Sequence, residues 1–238
     1  WARVKGMYQP DALASFTVDG ETFVVSANEG DARDYEGFAE EERARDLRNT
    51  AGYSDIAGIP GIDTNAKLGR LTVTSARPFG ADGNIYVFGA RSISIWNGTS
   101  GELVGDSGDQ LEQWTAQAYP AFFNSNNDED NFDNRSDNKG PEPEGGALGT
   151  IGAKRYAFVG LERIGGVAVF DLGDVTSPQM VAYANNRDFV AGGVPAPDSG
   201  PEVVRFVSAD ASPDGEPMLV VANEVSGTVT LWRIRSVQ

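Results

Sequence analysis

One pattern recurs three times along this chain. A proline is followed by an acid, a short strand, a glycine-bearing turn, a hydrophobic strand, and a second acid where that strand ends. The units read QPDALASFTVDGETFVVSANEGDAR from Gln9 to Arg33, EPEGGALGTIGAKRYAFVGLERIGGVAVFDL from Glu142 to Leu172, and GPEVVRFVSADASPDGEPMLVVANEVSGTVTLWRI from Gly200 to Ile234. Pro10 to Glu29 spans 19 positions and Pro143 to Glu162 also spans 19, while Pro201 to Glu224 spans 23, the excess lying in the ADASPDGEP turn. The stretch GNIYVFGARSISIWNGTSGELV (83–104) reads as a further unit without the Pro-acid start.

Short runs of Val, Ile, Phe and Tyr between Gly, Asp, Asn and Pro clusters are the signature of strands. A strand-turn-strand unit cannot bury both of its faces alone, so neighbouring units must stack. The pattern therefore predicts an all-β chain, a β-propeller with four blade-like units, whether a small closed ring or a segment of a larger one. Helical periodicity is confined to FAEEERARDLRN (38–49) and DQLEQWTAQAY (109–119), the latter with Asp109 near its start. Both fall between strands. Residues 34–69 and 105–139 thus read as insertions within a single domain over 1–238.

Composition removes several chemistries. The chain has 238 residues with no Cys and no His. That excludes disulfides, thiolate nucleophiles, thiolate- or imidazole-bound metals and Ser-His-Asp catalysis. Lys plus Arg number 19 against 35 acids, a net charge of -16, which disfavours binding to nucleic acid and favours cations. No apolar run is long enough for a transmembrane segment. The opening WARVKGMYQP lacks the apolar run of a signal peptide and does not read as a natural start, so a fragment is expected.

Three sets of residues are candidates for chemistry. The unit-ending acids Glu29, Glu162 and Glu224 should converge if the units are equivalent, and carboxylates brought together need a cation or an Arg to offset their repulsion. The competing reading is that they satisfy turn backbone groups. The acids after proline, Asp11, Glu144 and Glu202, either open a unit or point inward with them. Arg163, beside Glu162, and Arg33 and Arg187 are candidate anion forks or ion-pair partners.

The third set is the segment Asn124–Glu144, NSNNDEDNFDNRSDNKGPEPE, with seven carboxylates. Calcium prefers such oxygens, although a solvated acidic loop has the same composition. Read from Asp128, the segment fails the EF-hand pattern, with Phe132 at the fifth position, Asp133 where Gly is required and Lys139 at the twelfth. A different calcium loop would draw on Asn126, Asp128, Asp130, Asp133, Asp137 and Glu144, with Phe132 anchoring it to the core.

The motifs KGMYQPDALASFTV, VSANEGDARDYEGF, GARSISIW, DSGDQLEQ, FNSNNDEDNFDNRSDNKGPEPEG, YAFVGLERIGGVAVFD, VSADASPDG and VANEVSGTVTLW together resemble the choice-of-anchor I domain, from Lys5 to Ile234. The resemblance implies a bacterial extracellular, cell-surface or periplasmic β-propeller. Some members carry alkaline-phosphatase-like or mesenchyme-specific cell-surface-glycoprotein-like descriptions. Because the family's domain is about twice as long, the resemblance implies the C-terminal part of a ring of about seven blades. The missing N-terminal blades or another protein chain would then cover its open edges.

Three functions follow as expectations. The first is a secreted or surface domain binding calcium, or another divalent metal, through a carboxylate-rich face. The second is a metal-dependent phosphoester hydrolase with Glu29, Glu162, Arg163 and Glu224 at the reacting centre. In it Arg33 and Arg187 would hold a small phosphoester ligand. The third is an adhesion scaffold without catalysis.

Overall fold

The computed structural model describes residues 1–189 and 198–235, so the 1–238 domain expectation includes positions 190–197 and 236–238 that lie outside the described residues. The elements run β1 (Val4–Met7), β2 (Ala12–Val18), β3 (Glu21–Ala27), β4 (Asp34–Tyr35), β5 (Phe38–Ala39), β6 (Glu41–Arg43), α1 (Ala44–Leu47), β7 (Thr72–Thr74), β8 (Ile85–Phe88), β9 (Ile93–Asn97) and β10 (Leu103–Asp106). They continue with α2 (Gln110–Ala118), β11 (Pro143–Ile151), β12 (Lys154–Leu161), β13 (Val167–Asp171), β14 (Gln179–Ala184), β15 (Pro201–Val207), a 3-10 turn at Ala209–Ala211, β16 (Met218–Asn223) and β17 (Thr228–Arg233).

The chain is mostly β. Its strands group into separate small sheets, and among the described residues none closes into a barrel. The larger ones are antiparallel: β2-β3-β9-β10, β11-β12-β13-β14 and β15-β16-β17. The stretch 83–104 is therefore not a fourth separate unit. Its β9 pairs directly with β3, Phe23 opposite Asn97 through Ala27 opposite Ile93, and completes the first sheet with β10. The physical reason is local. Strand β3 has a free edge of backbone donors and acceptors, and β9 fills it across the intervening insertion.

Alternation along β12 explains why the sheets stack. Ala157, Val159 and Leu161 join Phe16, Phe23, Val25, Ile93 and Ile95 in a core shared by the first two sheets. Phe158, between them in sequence, points the other way and packs with Val204, Leu219 and Val221 of the third. Successive side chains on a strand face opposite sides, so β12 serves two cores at once. The rings of Phe158 and Phe206 stack with centroids 5.5 Å apart. Close approach also needs small residues: a methyl carbon added at Gly145 of β11 would lie 2.1 Å from the Glu202 carbonyl oxygen.

The segment 38–49 forms two short strands and the single turn α1, and the surrounding insertion has its own cluster of Leu47, Ile56, Ile59, Ile62 and Leu68 with Val73, Ile85 and Val87. Helix α2 starts after Asp109, whose carboxylate accepts from the Gln113 side-chain amide at 2.8 Å instead of capping the backbone. No helix among the described residues is long and apolar enough to cross a membrane.

Candidate metal centre

The register of the sheets explains the acid spacing read from the sequence. Strands β2 and β3 pair with Ala12 opposite Ala27, and the Asp11 N–H donates to the Ala27 carbonyl at 3.1 Å. Strands β11 and β12 place Pro143 opposite Leu161, and β15 and β16 place Pro201 opposite Asn223. Each hairpin thus returns its closing acid to the start of its opening strand. The pairs Asp11 and Glu29, Glu144 and Glu162, and Glu202 and Glu224 are equivalent. The longer third turn adds residues outside the ladder, so the register survives the 23-residue spacing.

Strand β11 packs against both β2 and β15, which brings these ends together. Carboxylate oxygens of Asp11, Glu29 and Glu144 lie within 4.8 Å of one another, as do those of Glu29, Glu142 and Glu162. Glu144 and Glu162 are 9% and 5% exposed, and Glu142 is fully buried.

Three cations enter from the acidic segment and the β12–β13 turn. Lys139 Nζ donates to Glu29 Oε1 at 2.8 Å and to the Gly30 carbonyl at 2.7 Å, and sits 2.9 Å from Glu142 Oε2. Arg163 Nε lies 2.9 Å from Glu142 Oε2, and another of its nitrogens 2.9 Å from Glu162 Oε1. Arg135 pairs with Glu142 Oε1. Asn127 Nδ2 donates to Glu162 Oε1 at 2.9 Å. Glu142 holds a left-handed backbone at φ +52° while its carbonyl accepts the Glu162 N–H at 2.9 Å.

This arrangement divides the acids electrically. Burial alone would raise the Glu142 carboxyl, but Arg163, Arg135 and Lys139 outweigh it and hold the group below its ordinary value. Burial raises Glu29, and Lys139 offsets part of the rise. Burial pushes Glu162 up to about 8, with Arg163 opposing and Glu142 and Glu29 adding to the rise. Glu144 is pushed up to about 10 by burial, then by a hydrogen bond it shares with Glu202, and by the charges of Glu162, Glu202 and Glu29. Its Oε2 is buried and makes no hydrogen bond within the described protein. An oxygen left without a partner costs free energy that a bound cation would recover.

The structure therefore gathers Asp11, Glu29, Glu144, Glu162 and Arg163 from the candidates read in the sequence, with Glu202 beside Glu144, and leaves the others apart. Glu224 is exposed and belongs to neither acid group. Asp128 and Asp133 are exposed, and Asn126, Asp130 and Asp137 are half-buried. Asp137 is paired with Arg70 at 2.6 Å and Arg43 at 3.4 Å, and Ser136 donates its hydroxyl to Asp133. Phe132 does not anchor the segment: it is 61% exposed, with the Phe123 ring 6.3 Å away.

Arg33 pairs with Glu40 at 2.9 Å. Arg187 is buried, donates to the carbonyls of Arg163 at 2.7 Å and Glu129 at 3.1 Å, and lies over the Phe189 ring at 4.7 Å. Sequence reasoning passed over Glu142, Lys139 and Arg135 as functional residues. The signal that could have found them is the run KGPEPEG, which sets a cation and two acids at the mouth of a repeat unit.

The oxygens suit a hard divalent ion. Calcium sits about 2.3–2.6 Å from each of its oxygen ligands and accepts irregular sets of carboxylates such as this one. With neither Cys nor His in the chain, softer metals have no preferred ligand.

The family model for the choice-of-anchor I domain matches residues 1–175. Gigasin-3a from Magallana gigas is 32% identical to this chain over 193 residues, an alignment covering 74% of this chain and 68% of that protein. No solved structure matches the chain.

Proposed function

This chain belongs to the choice-of-anchor I domain family, and we propose that it is a secreted or cell-surface β-propeller segment that binds calcium at its carboxylate-lined centre. Family membership supports the location. The propeller reading draws on three stacked sheets whose first strands, β2, β11 and β15, lie next to one another, as inner strands around an axis would.

The observation that carries the calcium reading is the meeting of Asp11, Glu29 and Glu144 beside Glu202, with one Glu144 oxygen buried and unpartnered. The phosphoester-hydrolase alternative needs the same ion and also a cation for phosphate. Each arginine named for that role is already engaged: Arg33 by Glu40, Arg163 by Glu142 and Glu162, and Arg187 by two carbonyls. A ligand-binding or adhesive surface domain stabilised by its ion is the better fit.

Thermal melting of the whole chain in excess calcium and in excess chelator tests this. Ligand at a hundred times its dissociation constant adds about 2.7 kcal/mol. For a domain of this size that is a Tm rise of roughly 5–10 °C. Equal melting temperatures in the two conditions would remove the calcium reading.

A further inference from the structure

We infer that the centre takes one divalent cation per chain, held by Asp11, Glu29 and Glu144, and that Lys139 keeps a second cation out of the adjoining Glu29–Glu142–Glu162 group. The inference rests on the calcium reading above and specifies its ligands and stoichiometry.

Counting charges on the two sides supports it. Glu29, Glu142 and Glu162 face Lys139, Arg135 and Arg163, three acids against three cations, with contacts of 2.8 Å from Lys139 to Glu29 and 2.9 Å from Arg163 to Glu142 and to Glu162. Each acid on that side already has a cation against it, and the Lys139 ammonium occupies the gap between Glu29 and Glu142. On the other side stand Asp11, Glu144 and Glu202. None of the three takes part in an ion pair among the described residues. Glu144 is nine-tenths buried, and its Oε2 has no hydrogen-bond partner among the described residues.

A carboxylate cluster alone would be an ordinary surface feature. A buried, unpartnered oxygen within the same few ångströms is not, because its desolvation is left uncompensated. A dication offsets that charge, and a carboxylate with two oxygens lets Glu29 serve both Lys139 and the ion. Asp11 is exposed, so the ion has a route from solvent. The ligands come from the edges of two sheets, Asp11 and Glu29 from the first and Glu144 from the second, so the ion would join them.

The test is calorimetric titration of chelator-stripped, dialysed full-length chain with calcium chloride. One equivalent per chain is expected. Asp11→Asn and Glu144→Gln should each weaken binding about tenfold or more, since affinity follows ligand charge and number. Glu224→Gln should leave it unchanged. Lys139→Gln should open a second equivalent.

Asp11 is exposed, so Asp11→Asn keeps the test alive should the buried variants fold poorly. Two equivalents in the unmodified chain would overturn the single-ion assignment. So would an equivalent that survives Asp11→Asn and Glu144→Gln but disappears in Asp128→Asn with Asp130→Asn, which would move the site to the acidic loop. Either outcome leaves the calcium reading standing. No binding heat together with no thermal shift would end both. A Lys139→Gln chain that folds and still binds one ion would refute the role given to Lys139.

Discussion

Glu142 is the residue whose loss should cost this fold most among its acids, and Glu142→Gln tests the charge arrangement directly. The carboxylate is fully buried and contacts Arg135, Lys139 and Arg163. After substitution, Lys139 keeps Glu29 and Arg163 keeps Glu162, each at 2.8–2.9 Å. Arg135 keeps no acid among the described residues, and its side chain is 17% exposed. Removing one partner of a buried ion pair typically costs about 3–5 kcal/mol, because the other charge stays buried and unpaired. Glu142 also sits at φ +52°, a conformation that costs a non-glycine residue about 1–3 kcal/mol and that the three contacts now help to hold. For a chain of this length, each kcal/mol moves Tm by about 2–4 °C. A fall of roughly 10 °C is therefore expected in calorimetry at neutral pH, with a matching drop in the urea midpoint. The exposed Glu224→Gln should move stability by less than about 0.5 kcal/mol. If Glu142→Gln melts within about 2 °C of the unmodified chain, Glu142 does not anchor the three cations and the division of the centre into paired and unpaired acids fails.

The metal-free chain should lose stability as pH rises from 5 to 9. The folded-state values of Glu162 and Glu144 are raised to about 8 and about 10, so the folded state holds protons that the unfolded chain releases above about 4.3. Urea midpoints measured in chelator should fall across that window, and midpoints that rise would contradict the assigned burial. Gly145→Ala should destabilise by about 1–3 kcal/mol, because the new methyl meets the Glu202 carbonyl at 2.1 Å and backbone must move. Gly58→Ala, where a methyl meets nothing within 4 Å, should stay within about 0.5 kcal/mol in the same denaturation series.

What could be read from the sequence was whatever the β-ladder itself enforces. An antiparallel hairpin returns its closing end to its opening end, so a Pro-acid start and a final acid meet for any turn length that preserves register. That is why Glu29 and Glu162 could be paired with Asp11 and Glu144 from spacing alone, and why the longer third turn did not disturb the pattern. The outer half of the first sheet was hidden because its pairing spans the insertion. Strand β9 finds β3 through an edge, and the junction is then locked by buried polar contacts. Asn28 donates to Ser92 at 3.0 Å and Ser94 at 2.8 Å, and Ser26 donates to Asn28 at 2.8 Å.

Glu142 was hidden for a related reason. Its partners come from positions 135, 139 and 163, and only the folded chain shows that they converge on one carboxylate. The acidic segment illustrates the converse. Its composition matches a calcium loop, yet Asp137 is taken up by Arg70 and Arg43 and Asp128 and Asp133 face solvent. Where a carboxylate can bind an ion depends less on how many acids surround it in sequence than on which of them the fold has already neutralised. Here that criterion singles out Glu144, an acid at the end of the segment, because it enters a strand and is buried there with no cation against it and one oxygen unpartnered among the described residues.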